Sequence, residues 1–578
     1  MSAPASRAGA WPIIRAYWVS PDSRPGWRLL MAVIALDLTL VWRAARITYW
    51  QKDFYDTLQK MDEAAFWPLL AMLVLLALTG LVLSTARTWL AQSLEMRWRA
   101  WMTDVYLKRW LAGSAFWRLE REQHPAGCSV ENVDQRLAED LRMLASDTLS
   151  LSLGLLSNFV SLFTFSAIVW SMSGVLSITL GGASFEVPGY MLWVALIYAA
   201  GGSWLMEKIG GRMVAIDYRQ QQAEADFRTA LMRIRESAEQ IALYGGGHAE
   251  HARLTALFDA VKHNWRDIMV YTKRITITDN AYTEAGALVP YVLQGPRVLK
   301  GIITMGDLIQ LTQSFMRVRV ALSWFIYKYK SLALLRSALA RLAEFDAALQ
   351  AASGATASAP RITRQRGPAA SGYALQGVQA LGPGGRPLTP VVNWRIAPGE
   401  RWMLRGPSGA GKSTLLRALA GLWTHGHGHI ATPPETATPP GTAAAPRAET
   451  LFVPQQSYLP IDTLRACLAY PALETAFSDD DCQAALRWAC LPALTHRLHE
   501  SAHWARQLSP GEQQRLAFAR IWLHRPRWLF LDEATSALDE ETEERLYTRL
   551  TRDLPGLTLV SIAHRSSLRR FHEHEMQL

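Results

Sequence analysis

Residues 406–414 read Gly406, Pro407, Ser408, Gly409, Ala410, Gly411, Lys412, Ser413 and Thr414. This is the spacing G-x-x-x-x-G-K-[ST], a loop whose backbone N–H groups curl inward around the β- and γ-phosphates of a nucleotide. The glycines permit so tight a curl. Lys412 supplies a point charge to the phosphates, and the Ser413 hydroxyl is placed to ligate Mg2+. The flanks agree with that chemistry. Residues 401–404 read as a short buried strand, and 414–422 as a helix whose N-terminal dipole adds to phosphate binding.

Further along, residues 527–531 form an apolar run ending in Asp532 and Glu533, as a buried parallel strand would. Carboxylates at that edge meet ligands in open α/β folds. Asp532 can hold Mg2+ through water, and Glu533 can polarise an attacking water. Between loop and strand, residues 508–515 read Leu-Ser-Pro-Gly-Glu-Gln-Gln-Arg. This resembles the signature motif of ATP-binding-cassette proteins, in a variant with Pro510 and Glu512. Other motifs of that family follow in order: Gln455 as the Q-loop residue, Ser536 to Asp539 as the D-loop, and His564 as the switch histidine. The resemblance implies catalytic roles for Glu533, His564 and Gln455, with Gln455 also reaching the metal. It further implies that Ser509 and Gly511 contact nucleotide held by another cassette. Many such cassettes carry an adenine-stacking aromatic about 25–30 residues before the loop lysine. Here the window at 381–388 holds none, Tyr373 being far upstream and Trp394 too near.

Composition describes what precedes the cassette. The chain has 578 residues, 50% hydrophobic and only 19% charged, so several domains are expected. Segments rich enough to span a bilayer core of about 30 Å occur only before residue 340. They lie near 28–45, 67–89, 149–172, 188–206, 280–304 and 307–334. The first four are clear apolar runs. The last two carry Glu284, Pro290, Pro296, Arg297, Lys300, Arg317 and Arg319.

Loop charge orients these spans. Arg97, Arg99, Lys108, Arg109, Arg118, Arg121, Arg136 and Arg142 follow the second; Lys208, Arg212, Arg219, Arg228, Arg233 and Arg235 follow the fourth. Residues 51–65 are net acidic, and 173–187 lack Lys and Arg. Positive residues stay on the cytosolic side, so both termini and the cassette are expected there. Arg297 and Lys300 break the pattern. The net charge of +10 is then mostly a topology signal with some affinity for anionic lipid, not evidence for nucleic acid.

Residues 1–20 show no apolar h-region or cleavage site, so no signal peptide is expected; 10–18 read as an interfacial helix. Cys467, Cys482 and Cys490 fall in the cassette and Cys128 in a cytosolic loop, with no ligand spacing among them. His425, His427 and His429 lack a cysteine or carboxylate partner nearby and read as a turn after the loop helix. Residues 350–372, rich in Ala, Ser, Gly and Pro, read as a linker. Residues 431–449, with repeated Thr-Pro-Pro, read as a flexible insertion between two cassette strands.

The membrane half narrows the family. Residues 50–59 (WQKDFYDTLQ), 97–99 (RWR), 132–140 (NVDQRLAED), 224–228 (EADFR) and 235–242 (RESAEQIA) resemble the membrane domain of SbmA/BacA-like bacterial transporters with fused cassettes. More distantly they are similar to the peroxisomal fatty-acyl transporters of subfamily D. In that family the 224–228 stretch resembles the coupling motif that meets the cassette.

The expected architecture is therefore an α-helical six-span membrane domain of the type IV, exporter-like ABC fold, followed by an α/β P-loop NTPase cassette. The expected boundaries are 1–345 for the membrane domain, 346–372 for the linker and 373–578 for the cassette. One P-loop and one signature per chain imply a C2 homodimer with two shared ATP sites. The expected activity is ATP hydrolysis, with ATP and Mg2+, driving a solute across a bacterial cytoplasmic membrane. Uptake of peptides or bulky hydrophilic compounds such as cobalamin leads. Export of lipid-like or drug-like solutes is the alternative, and an ATP-gated regulator or channel is a third reading, opposed by intact Glu533 and His564.

Overall fold

The computed structural model describes residues 10–121, 132–180, 183–352, 361–367, 372–382, 385–433, 449–563 and 565–578. Two compact units emerge: Met1–Arg109 with Glu131–Ala347, and Trp110–Val130 with Ala348–Leu578.

The first unit is helical. In chain order the helices are α1 (Ala10–Val19), α2 (Arg24–Lys60), α3 (Glu63–Leu111), α4 (Ala115–Arg121, counted with the second unit) and α5 (Val133–Gln135). A single π-helical turn, Arg136–Asp140, leads into α6 (Leu141–Ser173); then come α7 (Tyr190–Glu236), α8 (Ala238–Leu243), α9 (Gly247–Leu299) and α10 (Met305–Ala352). Each expected span falls almost wholly within one long helix. By length and apolarity alone, two stretches among the described residues qualify to cross a membrane, Glu63–Glu120 and Val133–Ser173. The most apolar window of the first is only 6% buried. Leu75, Leu78, Leu81 and Val82 stand exposed along it, a continuous apolar face that water does not tolerate at this size.

Several polar groups in and beside the spans are paired between helices. Arg87 of α3 donates to Asp37 of α2 at 2.9 Å, Asp37 being buried. Arg43 donates to the Leu76 carbonyl at 2.6 Å and fills the notch over Gly80. The 50–59 motif receives the start of α10. Lys52 pairs with Asp307 at 2.7 Å, the Gly306 N–H donates to Asp56 at 3.0 Å, and the Met305 N–H to Gln59 at 3.1 Å. In the 132–140 motif, buried Asp140 accepts two bonds from Arg341, while Arg136 donates to the Arg341 carbonyl at 2.7 Å. Phe165, Ile168, Val169, Met191, Ala195, Leu311, Phe315 and Val318 form the core between these contacts.

Two sequence expectations change here. Residues 173–187, expected as a plain loop, contain an antiparallel hairpin of β1 (Val175–Leu180) and β2 (Ala183–Pro188). Arg297, out of place by loop charge, donates to the Ser173 carbonyl at 2.5 Å and to Gln294 at 3.0 Å. It thereby satisfies the open C-terminal end of α6, a position that favours a cation.

The second unit contains, in order, β3 (Thr363–Arg366), β4 (Tyr373–Ala380), β5 (Val392–Ile396), β6 (Arg401–Arg405), α11 (Lys412–Leu419), β7 (Gly426–Thr432), β8 (Thr450–Val453), β9 (Asp462–Thr463), α12 (Leu464–Ala469), α13 (Asp479–Trp488), β10 (Ser501–Ala502), α14 (Trp504–Gln507), α15 (Pro510–His524), β11 (Trp528–Asp532), α16 (Glu540–Asp553), β12 (Thr558–Ile562) and β13 (His574–Gln577). Five strands make a parallel sheet in the order β13-β6-β12-β11-β8, and four make a second sheet in the order β3-β7-β4-β5. Buried side chains cover both faces of β11 and β12, as a doubly covered parallel sheet requires.

The loop helix begins at Lys412 and ends at Leu419, earlier at both ends than the expected 414–422. His427 and His429 lie on strand β7, not in a turn, because Ile430 beside them is buried against β4. Thr363–Arg366, inside the expected linker, is strand β3, paired parallel to β7. Most of the 431–449 insertion lies outside the described residues. Burial pushes the Cys467 and Cys482 thiols up to about 11, so neither is reactive; Cys128 lies outside the described residues.

Candidate active site

The phosphate loop leaves the C-terminal end of β6, a strand inside the parallel sheet. Its last glycine, Gly411, caps α11 with φ 89°. A Cβ there would stand 2.2 Å from the Leu388 carbonyl oxygen and 2.7 Å from Thr389 Cγ2. Both the left-handed backbone and the approaching 388–389 wall therefore demand glycine. The first amides of α11 have no partner within the helix and face the loop mouth. Lys412 is buried, and its ammonium donates to the carbonyls of Gly406 at 2.7 Å and Pro407 at 3.0 Å. That cradle of amides and one ammonium fits an anionic phosphate chain. Gly411→Ala is expected to cut ATP binding by the full-length protein on the order of tenfold or more, since the added methyl overpacks a fixed wall. Equilibrium binding of a fluorescent ATP analogue checks this.

Across the sheet, Ser413 donates to Asp532 at 2.9 Å. One helix start and one strand end thus place a hydroxyl and a carboxylate together. Burial raises the Asp532 pKa, the neighbouring Glu533 adds to the rise, and the Ser413 bond opposes it. The next residue, Glu533, has φ 49°, a left-handed conformation that is costly outside glycine and gathers at functional sites. Its N–H donates to the Ile562 carbonyl at 3.1 Å. Gln455, two residues after β8, donates to the Glu533 carboxylate at 3.1 Å. Lys412, Ser413, Gln455, Asp532 and Glu533 therefore converge where β6, β8 and β11 end, the edge at which open α/β sheets bind ligands.

Ser509 and Gly511 belong to another edge. Ser509 caps α15, and with Glu512 it forms a reciprocal capping box: the Glu512 N–H donates to Ser509 Oγ at 3.3 Å, and the Ser509 N–H to Glu512 at 2.9 Å. The variant Pro510 and Glu512 are the residues this helix start favours, at its first and third positions. Bonds from Ser509 hold the Glu512 carboxyl below its usual range. A Cβ on Gly511 would meet the Ala537 carbonyl at 3.1 Å. Gln514, which sequence motifs did not single out, clamps the 536–539 segment. It donates to Ser536 at 3.1 Å and accepts from the Ala537 N–H at 2.9 Å. Its place inside the 508–515 stretch, one turn into α15, is the sequence signal for that role. His564 lies outside the described residues.

Neither aromatic near the adenine window is available for stacking. Tyr373 packs edge-on to Trp528 and Phe530, and Trp394 edge-on to Trp402; both are buried in the sheet core.

Residues 13–299 match the model of ABC transporter transmembrane region 2, and residues 390–536 that of the ABC transporter family. The inner membrane ABC transporter ATP-binding protein YddA of Escherichia coli (strain K12) is 31% identical over 96% of this chain and 94% of its own. The lysosomal cobalamin transporter ABCD4 of Homo sapiens is 26% identical over 96% of this chain and 92% of its own. The structure of a bacterial Atm1-family ABC exporter with ATP bound shares the fold, at a TM-score of 0.67 and 18% identity over 95% of this chain and 93% of that one. With a helical membrane region followed by a P-loop cassette, the chain belongs to the ABC transporters, ATPases that move solutes across a membrane.

Proposed function

We propose that two copies of this chain form a transporter that takes up peptides or bulky hydrophilic compounds such as cobalamin. The observation that carries the polar substrate class is on α9 and α10. Glu284, Gln313 and Arg317 are exposed on helices that hold two of the expected spans. Lipid does not accept such groups; a water-filled cavity does. Likeness to a cobalamin transporter supports the same class. Export remains the competing reading, resting on the six-helix architecture that exporters share.

In this reading residues 406–414 hold the ATP phosphates, Glu533 acts as general base on the attacking water, and Gln455 and His564 orient it. Ser413, Asp532 and Gln455 would hold Mg2+, which supplies charge neutralisation at the phosphates. The Ser413–Asp532 hydrogen bond supports that pairing. Ser509 and Gly511 serve the partner copy's nucleotide, which explains why one chain carries one of each motif. Both termini and the cassette face the cytosol of a bacterial cell, the side to which the loop charges point. The membrane domain covers 1–345 and the cassette 373–578, with β3 added to the cassette from the linker.

Uptake by cells with and without the chain, across labelled peptides and labelled cobalamin, tests this. Accumulation of at least one probe only with the chain is expected. Glu284→Ala is expected to abolish that accumulation while leaving basal ATP hydrolysis intact. No chain-dependent accumulation, together with ATP-driven loss of a preloaded probe, overturns uptake in favour of export.

A further inference from the structure

Helices α7 and α9 run antiparallel, joined at one end by α8. Their contacts keep one unbroken register. Phe227 meets Phe258, with ring centroids 5.4 Å apart. Asn264 donates to Gln220 at 2.9 Å and to the Ile216 carbonyl at 3.1 Å, both side chains being buried. Arg212 donates to the Tyr271 hydroxyl at 3.3 Å. Farther from α8, Tyr198 meets Tyr282. The register thus spans residues 198–227 of α7, about 45 Å at the helical rise.

The far end of this pair is a reciprocal lock. Both helices carry Tyr-x-x-x-Gly, at 198–202 and 282–286. The two rings stack at 4.7 Å and 11°, and the Tyr198 hydroxyl donates to the Tyr282 carbonyl at 2.5 Å. Each ring fills the notch over the other helix's glycine. A Cβ on Gly202 would stand 2.2 Å from Tyr282 Cε2, and one on Gly286 would stand 3.0 Å from Tyr198 Cε1. From α10, buried Arg319 sits 5.1 Å over the Tyr282 ring and donates to Thr283 at 3.3 Å. Slippage by one helical turn would set Tyr282 against Tyr198 or Met206, and Tyr198 against Tyr282 or Pro290. Neither direction offers a second notch.

We infer that Tyr198, Gly202, Tyr282 and Gly286 are positioning residues that make α7 and α9 one rigid lever, carrying motion at α8 into the membrane without slip between the two helices. α8 suits the moving end. It ends in Leu243, 80% exposed, and is followed by Tyr244, 90% exposed, and by three successive glycines, the last of which begins α9.

A covalent staple tests the lever in the full chain, reconstituted in lipid vesicles with MgATP as the probe. Arg212→Cys with Tyr271→Cys places two thiols on facing helices at an exposed site already in register, for bridging by a bifunctional thiol reagent whose spacer contains a reducible disulfide and spans the gap left by the two long side chains. Crosslinked, that variant is expected to hydrolyse ATP at the rate of the parent chain treated identically. Helices that slide or splay during the cycle would be halted by the staple, which overturns the inference. Gly202→Ala, by wedging the lock, is expected to slow hydrolysis on the order of tenfold, as misplacement far from the chemistry does. Adding the staple to Gly202→Ala is expected to restore the rate, and reduction of the disulfide to abolish it again. A merely misfolded variant shows no such reversible rescue. Unchanged hydrolysis in Gly202→Ala, or failure of the staple to restore it, overturns the proposal. Should Gly202→Ala not accumulate, Gly286→Ala, whose contact is looser, takes its place with the same outcomes.

Discussion

Glu533→Gln leaves ATP binding intact and lowers steady-state hydrolysis by about two to four orders of magnitude, the range a general base supplies. The amide is isosteric with the carboxylate and can still meet Gln455 through its own carbonyl oxygen. Glu533 makes that contact at 3.1 Å from a left-handed backbone position that its Ile562 bond helps hold. Shape is therefore preserved while the proton acceptor is lost. The variant is also expected to accumulate as a nucleotide-bound dimer, because the step that reopens it is blocked. Purified Glu533→Gln hydrolysing ATP within about threefold of the parent would remove Glu533 from the chemistry, since a base contributes far more than that.

The second large effect appears on mixing two defective chains. Lys412→Ala removes the ammonium held at the loop mouth, and Ser509→Arg replaces the α15 cap with a bulky cation. Each homodimer then carries the same lesion in both sites. If nucleotide lies between the loop of one copy and the signature of the other, a mixed dimer has one site free of lesions and one with both. Its hydrolysis is expected to exceed that of either homodimer on the order of tenfold, because lesions within one functional unit do not add. Ser509 in the single chain is bonded to Glu512 and α15 to the 536–539 segment, and Ser509 itself is exposed. Crosslinking between Cys residues placed near Ser509 and near the partner's loop, with ATP present, separates unshared sites from sites that must fire together. Absence of that crosslink refutes the shared arrangement.

Local motifs were legible because their chemistry is local. The phosphate loop needs glycine at fixed intervals beside a lysine, and no longer-range contact alters that requirement. The strand ending in Asp532, just before Glu533, was readable for a similar reason: an apolar run of four residues, 528–531, has few other places to go in an α/β unit. Charged residues in the membrane half were not readable this way. Arg297 looked like a topology violation, yet it caps α6 through Ser173, a residue 124 positions away. Asp37 and Arg87 drew no attention, yet they pair across two helices. The hairpin at 175–188 was hidden because its strands have no sheet to join beyond each other.

Sequence alone determined that this chain hydrolyses nucleotide through a cassette and spans a membrane, because phosphate loops and apolar runs are short-range consequences of composition and spacing. Tertiary structure decided the rest. It placed Gln455 on Glu533 and Ser413 on Asp532, since only the order of parallel strands sets which loop ends become neighbours. It buried Tyr373 and Trp394, removing both from adenine recognition. It paired Tyr198 with Gly286 and Tyr282 with Gly202, a match that depends on the register of two helices and that no single segment encodes.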